Sequence, residues 1–309
     1  MVTQVTINEV GPRDGLQSHG KTLTVDERLN MFRCLADSGI RHFEAGSFVS
    51  PKAVPQMAGT DEVVKRLRGR SELDLSVLVP NMKGYELARE AGARKVNLVL
   101  SSTETMNQKN IRKSLDETVA TCEDVINRAI KDNLEAQVYV AVAFECPFEG
   151  LVDPSVVVSL AEKVLDAGAT KIIIADTIGG ANPTQVKNLL KMISPVLDSR
   201  ALACHFHDTR GMALANILAA LDQGVLEFDA SVGGLGGCPF SPGATGNVAT
   251  EDVVLMLNSM GMTTGIDLQK LCTAVLEVSR LTGVQLGGHS WRWLEKQFLS
   301  SENLSEALK

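Results

Sequence analysis

The sequence has few aromatic residues, few histidines and no long apolar run. Aromatic residues make up 4 % of the 309 residues, and there are five histidines. No stretch of eighteen or more apolar residues occurs, which argues against a transmembrane helix. The 30 lysines and arginines are outnumbered by 37 acidic residues, for a net charge of −7. The absence of a basic excess argues against a nucleic-acid partner.

The cysteine pattern also lacks features that would indicate disulfides or structural zinc. None of the six cysteines belongs to a Cys-x-x-Cys pair, and a chain of this length does not need a disulfide framework. The first residues, Met1–Ile7, show neither a charged segment followed by an apolar one nor an Arg- and Ser-rich presequence. We therefore expect a cytoplasmic protein that associates with no membrane.

Strand-like and helix-like segments alternate eight times between Val5 and Met260. Segments such as Lys171–Asp176 are apolar without alternation, which is typical of strands covered on both faces. This pattern predicts an α/β fold, a (β/α)8 TIM barrel, with an additional C-terminal helical segment. A doubly wound sheet is the alternative, but Gly11–Gly15 is not its glycine-rich phosphate turn. We expect the barrel to span 1–264, and a helix and tail over 265–309 to pack on the barrel or on a partner subunit.

The seventh predicted strand ends in two of the five histidines, His205 and His207. Side chains alternate along a strand, so these two imidazoles face the same side. Two imidazoles on one face can bind one divalent metal, although two unrelated loop histidines would give the same sequence. Asp14, after the first strand, is the natural carboxylate partner, with a turn residue before Gly15 as the alternative. Nitrogen and oxygen ligands suit Mg²⁺ or Mn²⁺ better than Zn²⁺.

Other ionisable residues also follow predicted strands, where a barrel places its chemistry. Arg13 can hold a carboxylate or stabilise an oxyanion, or it can simply pair with Asp14 or Glu44. Glu44 interrupts an apolar strand and needs a partner if it is buried, and orienting Arg13 is its simplest role. Asp176 is either catalytic or a turn residue at a helix N-terminus.

A glycine-rich segment, Gly233–Gly246, follows the eighth strand and carries Cys238. Glycine hinges are typical of a mobile cover that closes over an active site. A cysteine in such a segment is favoured for acid/base or nucleophilic work over simple packing.

Several of these motifs together resemble the 3-hydroxy-3-methylglutaryl-CoA lyase family. The resemblance runs from about Val5 to about Leu271, and its glycine loop with the cysteine is the most specific part. The matching motifs are Gly11-Pro12-Arg13-Asp14-Gly15-Leu16-Gln17, Ser47-Phe48-Val49-Ser50-Pro51-Lys52, Asp176-Thr177-Ile178-Gly179, His205-Phe206-His207-Asp208-Thr209 and Gly234-Leu235-Gly236-Gly237-Cys238-Pro239.

The resemblance implies a metal-dependent carbon–carbon lyase, often a dimer, that cleaves 3-hydroxy-3-methylglutaryl-CoA to acetyl-CoA and acetoacetate. It implies that Arg13 stabilises the enolate, that Glu44 supports Arg13, and that Cys238 is the catalytic acid/base. The implied ligands of Mg²⁺ or Mn²⁺ are Asp14, His205, His207 and Asn247.

Substrate contacts are expected from three further residues. Gln17 and Ser47 belong to the matching motifs, whereas Asn110 follows the fourth strand, where an ordinary solvated loop is the alternative. Arg210 stands where the family usually has Tyr, so a related 3-hydroxyacyl-CoA stays open as the substrate.

Two other functions remain as alternatives. A condensing enzyme like 2-isopropylmalate or homocitrate synthase shares the Arg-Asp-Gly and His-x-His motifs but lacks the cysteine loop. A non-catalytic acyl-CoA-binding barrel would have no reason to retain the ligand residues and the cysteine together.

Overall fold

The computed structural model describes residues 2–198, 201–237 and 246–298. Within these ranges, eight parallel strands close into a barrel, in the order β1-β10-β9-β8-β5-β4-β3-β2. The barrel strands are β1 (Thr6–Glu9), β2 (His42–Ser47), β3 (Asp74–Leu78), β4 (Lys95–Ser101), β5 (Glu135–Ala141), β8 (Lys171–Asp176), β9 (Leu202–Phe206) and β10 (Glu227–Ala230). A short antiparallel hairpin, β6 (Glu145–Cys146) and β7 (Gly150–Leu151), follows β5.

Helices connect the barrel strands and cover the outside of the sheet. They are α1 (Val25–Asp37), α2 (Thr60–Leu67), α3 (Met82–Ala91), α4 (Glu104–Ile111), α5 (Leu115–Lys131), α6 (Pro154–Asp166), α7 (Pro183–Ile193), α8 (Ala213–Leu221), α9 (Thr250–Ser259), α10 (Leu268–Thr282) and α11 (Trp291–Phe298). Capping boxes at Thr24, Ser114 and Asn182 begin α1, α5 and α7. Local sequence therefore sets these three helix starts.

The structure confirms the predicted (β/α)8 barrel and the helical segment after it. The one strand whose bounds are given above, Lys171–Asp176, is found with the same bounds as β8. Three elements were missed: α4, the β6–β7 hairpin and α11. Each strand of the hairpin is two residues long, and α4 buries only Met106 and Asn107, so neither carries a periodic apolar signal.

The C-terminal segment packs along α1 and then reaches the rim of the barrel where β10 ends. Asn30 Nδ2 on α1 donates to Glu277 Oε1 on α10 at 2.5 Å. Beyond α10, the Gly287 amide donates to the Gly233 carbonyl at 3.1 Å, next to the end of β10. The division into a barrel over 1–264 and a segment over 265–309 stays a prediction. No helix in the described ranges is both long enough and apolar enough to cross a membrane.

Candidate metal centre

A tight turn after β1 brings Arg13 and Asp14 into the barrel together. Residues Gly11–Gly15 form one π-helical turn with Pro12 near its start, and all five are buried. In an extended chain, neighbouring side chains point to opposite faces, whereas a helical turn lets both reach the same cavity. Arg13 and Asp14 are 6 % and 7 % exposed, so both charges lie out of bulk water.

The two histidines of β9 and its end face the same cavity, as their spacing predicted. The ring centroids of His205 and His207 are 5.0 Å apart, and both rings are 5 % exposed. One ligand atom from each histidine and one from Asp14 all lie within 4.8 Å of one another. Asp14 Oδ2 and His207 Nε2 are 3.6 Å apart. These three groups can therefore be ligands of one ion.

Asn247 joins this cluster through an isolated antiparallel bridge to His207. Its Nδ2 donates to Asp14 Oδ2 at 2.8 Å and to the Leu235 carbonyl at 3.3 Å. Its Oδ1 is buried and has no hydrogen-bond partner in the structure, and the same holds for Nδ1 of His207. A buried acceptor without a partner is costly unless a ligand satisfies it.

Gly236 and Gly246 of the glycine-rich segment lie close together beside Asn247. A Cβ on Gly246 would lie 2.6 Å from the carbonyl carbon of Gly236, and one on Gly236 would lie 2.7 Å from Asn247 Nδ2. Both glycines also have positive φ, at 93° and 142°. Glycine at these positions lets the chain leave and re-enter the barrel mouth next to the cluster.

Arg13 is held between two carboxylates. Its Nε lies 2.5 Å from Glu44 Oε2, and its Nη1 lies 2.7 Å from Asp14 Oδ1. Glu44 is fully buried, and its other oxygen accepts from Asn97 Nδ2 at 2.9 Å. Burial alone would lower the pKa of Arg13, but the charges of Glu44 and Asp14 raise it, so the guanidinium stays charged. Glu44 thus lies where the sequence placed it, beside Arg13.

Charge and burial shift the pKa values of the three candidate ligands, Asp14, His205 and His207, in different ways. Burial would raise the pKa of Asp14, but the Arg13 charge and the His207 hydrogen bond hold it well below its usual range. Burial lowers the pKa of His207. Burial would also lower the pKa of His205, but the hydrogen bond and the charge of Asp229 outweigh burial, so the pKa of His205 is raised.

The charges of this hydrogen-bonded cluster favour a divalent cation. The cluster contains one arginine, Arg13, and three buried carboxylates, those of Asp14, Glu44 and Asp229. When all are ionised, two negative charges are left over, and burial makes such an excess expensive. A divalent ion with nitrogen and oxygen ligands would offset it. The donor set, the charge and the unpartnered Asn247 oxygen therefore all fit a metal.

The other predicted site residues lie in different surroundings. Gln17 Nε2 donates to Asp14 Oδ1 at 2.7 Å, so Gln17 belongs to the cluster. Ser47 is buried at the end of β2, and its hydroxyl has no hydrogen-bond partner in the structure. Asn110 lies on the exposed side of α4, outside the buried cluster. Cys238 lies outside the described residues.

Asp176 supports the loop that follows β8. Its two carboxylate oxygens accept the amides of Gly180 and Ala181 at 2.8 and 3.1 Å. Burial raises its pKa to about 6, although these amides and the positive charge of His205 act in the opposite direction. The carboxylate therefore has a structural role, and its raised pKa also suits proton transfer.

Arg210 forms an ion pair that spans three strand ends. Its Nη1 and Nη2 lie 2.8 and 2.9 Å from the two carboxylate oxygens of Glu145, at the start of the β6–β7 hairpin. Nη1 also donates to the Gly180 carbonyl at 3.2 Å. The departure from the expected Tyr at this position thus fixes the loops after β5, β8 and β9 to one another.

Sequence reasoning missed Asp229 on β10 and Tyr139 on β5, both of which contact the cluster. Asp229 accepts from His205, and the Tyr139 ring packs against the edge of His205. For Asp229, the available signal was a carboxylate between two apolar residues of a barrel strand, Phe228 and Ala230, whereas Tyr139 offered no such signal.

The comparisons with known proteins agree with this geometry. The HMGL-like family model matches residues 4–278. The chain belongs to the HMGL-like family. A relative from this group, the hydroxymethylglutaryl-CoA lyase of Pseudomonas mevalonii, is 44 % identical over 283 residues, which cover 92 % of this chain and 93 % of that protein.

Two further HMGL-like relatives bear on the substrate. The 3-hydroxy-3-isohexenylglutaryl-CoA/hydroxymethylglutaryl-CoA lyase of Pseudomonas aeruginosa is 38 % identical, over 93 % of this chain and 96 % of that protein. An HMG-CoA lyase from Acinetobacter baumannii, whose structure was solved in complex with coenzyme A and 3-methylmalate, is 38 % identical in sequence. It superimposes with a TM-score of 0.89 and covers 94 % of each chain.

Proposed function

We propose that this protein is a divalent-metal-dependent carbon–carbon lyase that cleaves 3-hydroxy-3-methylglutaryl-CoA to acetyl-CoA and acetoacetate. One observation carries the proposal. In a member of the HMGL-like family, Asp14, His205 and His207 converge within 4.8 Å, directly beside the buried Arg13–Glu44 pair. A metal site and a guanidinium side by side are what a retro-aldol cleavage needs.

We assign Asp14, His205, His207 and Asn247 as the residues that would hold Mg²⁺ or Mn²⁺. For Asn247, the assignment rests on the unpartnered Oδ1, since its Nδ2 already donates to Asp14. When bound, the ion would supply Lewis acidity that makes the tertiary hydroxyl of the substrate easier to deprotonate.

Arg13 would stabilise the negative charge that develops during cleavage. As a general base takes the hydroxyl proton, the bond between the carbon that bears the hydroxyl and the methylene carbon next to the thioester breaks, which leaves acetoacetate and the enolate of the acetyl-CoA thioester. Glu44 and Asp14 engage Nε and Nη1 of Arg13, so we assign Nη2 to the enolate oxygen. Glu44 keeps the guanidinium in place, so little reorganisation is needed at the moment of reaction.

Cys238 would complete the reaction by giving its thiol proton to the enolate carbon, which yields acetyl-CoA. Its assignment rests on the sequence motif, because the residue lies outside the described residues. Gln17 orients Asp14 in the structure, and we assign it and Ser47 to substrate contacts at the cavity. Asp176 is proposed as an additional proton-handling residue, and Asn110 as a contact for the distal part of coenzyme A.

A related 3-hydroxyacyl-CoA is the second candidate substrate. The relative from Pseudomonas aeruginosa is named for a larger acyl group as well as for hydroxymethylglutaryl-CoA, and the Arg210–Glu145 pair changes the rim of the barrel mouth. We further propose that the protein acts as a homodimer or higher homo-oligomer in the cytoplasm. Free cysteines at five described positions support a reducing compartment.

An acetoacetate assay tests the proposed function. The purified protein is incubated with 3-hydroxy-3-methylglutaryl-CoA and Mg²⁺, with and without a chelator, and acetoacetate is measured. We expect product only without the chelator. The absence of product in both arms would favour another hydroxyacyl-CoA, the condensing enzyme or the non-catalytic barrel. Product that persists in the chelator would contradict the metal dependence.

A further inference from the structure

Asp229 is a buried carboxylate to which the proposed reaction gives no role. It lies on β10, is 2 % exposed and accepts three side-chain hydrogen bonds. Its Oδ1 accepts from Asn8 Nδ2 at 2.8 Å, while its Oδ2 accepts from the Tyr139 hydroxyl at 2.7 Å and lies 2.9 Å from His205 Nδ1. Such a set of contacts leaves the carboxylate a single orientation.

The contact between Asp229 and His205 determines which imidazole nitrogen is free. A carboxylate acceptor places the proton on Nδ1, so Nε2 carries the lone pair that a metal ion requires. It also fixes the ring plane of His205 relative to Asp14 and His207. Metal-binding histidines commonly have such a partner, and its loss typically lowers metal affinity about 10- to 100-fold.

Tyr139 connects the same carboxylate to the other half of the site. Its ring meets the His205 ring edge to face, with centroids 6.0 Å apart and planes at 84°. The Arg13 guanidinium carbon lies 5.9 Å from the centre of the same ring, within the range of a cation–π contact. Asp229 accepts a hydrogen bond from the hydroxyl of this tyrosine, so it fixes the ring that contacts both His205 and Arg13.

We propose that Asp229 is the positioning residue of the metal centre, orienting His205 directly and Arg13 through the ring of Tyr139. This inference rests on the proposed function. It adds to the four proposed ligands a residue of β10 that orients one of them without binding the metal. It predicts that metal affinity depends on a residue that does not touch the metal.

Mn²⁺ titration of the metal-free full-length protein by calorimetry tests the proposal. We expect Asp229→Asn, which keeps the shape of the side chain, to weaken Mn²⁺ binding about 10- to 100-fold. Raising the Mn²⁺ concentration should then recover part of the lost lyase activity. The matched control is Asp252→Asn, on α9. Asp252 is also buried and accepts the amides of His289 and Ser290, so this variant should lose stability but keep its Mn²⁺ affinity.

A second variant keeps the test decisive if Asp229→Asn does not fold. Tyr139→Phe retains the ring and removes only the hydroxyl that donates to Asp229, and we expect it to weaken Mn²⁺ binding about 2- to 10-fold. The positioning role would be overturned if a folded Asp229→Asn protein bound Mn²⁺ within twofold of wild type. If only Tyr139→Phe folds, the same result in that variant would overturn it. If the wild-type protein itself bound no Mn²⁺, the proposed function would fail instead.

Discussion

At the scale of single residues, Arg13 is constrained by three neighbouring side chains. Two carboxylates fix it, at 2.5 and 2.7 Å, and a tyrosine ring lies beneath it. An arginine fixed in this way can stabilise a developing charge without first reorganising. Its neighbour in the chain, Asp14, is a candidate metal ligand, so substitutions at these two positions should separate catalysis from metal binding.

Arg13→Gln tests the enolate role. We expect kcat to fall by about two to three orders of magnitude, because one preorganised charge contact is removed from the transition state. Mn²⁺ affinity should change little, since Asp14, His205 and His207 remain. Steady-state kinetics and calorimetry on the same sample check both parts. Near-wild-type turnover would contradict the assigned role.

Cys238→Ser tests the proton donor. A serine hydroxyl is a far weaker acid than a thiol, so we expect a loss of about 10² to 10⁴ in kcat, the usual range for a general acid or base. The circular dichroism spectrum and the melting temperature should stay close to those of wild type. Cys34→Ser, on α1, is the control, and full activity of Cys238→Ser would assign that cysteine to packing.

At the scale of elements, the period of two along a strand was enough to place His205 and His207 on one face. Glu44 was also predictable, because a carboxylate inside an apolar strand must find a partner. The π-helical turn at Gly11–Gly15 was not, since one turn carries no periodicity to detect. A different limit hid which residues Asp229 and Tyr139 contact, because cross-barrel contacts depend on register between strands far apart in sequence.

The ion pair between Arg210 and Glu145 makes a prediction at this scale. Arg210→Ala removes the link between the loops after β5 and β9 and frees the Gly180 carbonyl. A partly exposed ion pair contributes about 0.5 to 1 kcal/mol. We therefore expect the amides of Gly180 and Ala181 to exchange their hydrogens about two- to fivefold faster. Unchanged exchange at both amides, measured by NMR, would show that the pair does not hold this loop.

At the scale of the whole molecule, the barrel was predictable because eight similar units repeat the same signal, so an error in one unit does not alter the fold. The path of the chain after α10 was not predictable, since Gly287 and Gly288 bind the barrel through their own backbone amides, which donate to the Gly233 carbonyl and the Glu251 carboxylate. A backbone donor leaves no side-chain pattern in the segment that carries it. The chain after α10 was therefore predicted as a tail of unspecified path.

Metal binding should stabilise the entire fold. An ion that binds the native state alone adds about 2.7 kcal/mol at a concentration of 100 times its Kd. We expect Mn²⁺ to raise the melting temperature by several degrees and a chelator to reverse the shift. Asp14→Asn should abolish the shift, because it removes the central carboxylate of the cluster. An equal shift in that variant would place the ion elsewhere.

The stability should also depend on pH through Glu9, a fully buried carboxylate of β1. Burial raises its pKa from 4.5 to about 7, despite hydrogen bonds from Thr250, Val232 and Gly11. Between these pH values the unfolded chain releases the proton and the folded chain keeps it. Glu9 therefore contributes stability below pH 4.5 that is lost as the pH rises through 7.

Urea denaturation of wild type and Glu9→Gln measures this contribution. We expect the free energy of unfolding of wild type, relative to the variant, to fall by roughly 3 kcal/mol between pH 4.5 and 7.5. A difference that does not vary with pH would show that Glu9 ionises alike in both states.

The meeting of Gly236 and Gly246 beside Asn247 has a consequence for how this enzyme can evolve. The chain leaves and re-enters the barrel at nearly one point, so a change in the length of the intervening segment alters the closure entropy only slightly. We expect insertions and deletions between Gly237 and Gly246 to be tolerated while Asp14, His207 and Asn247 keep their positions.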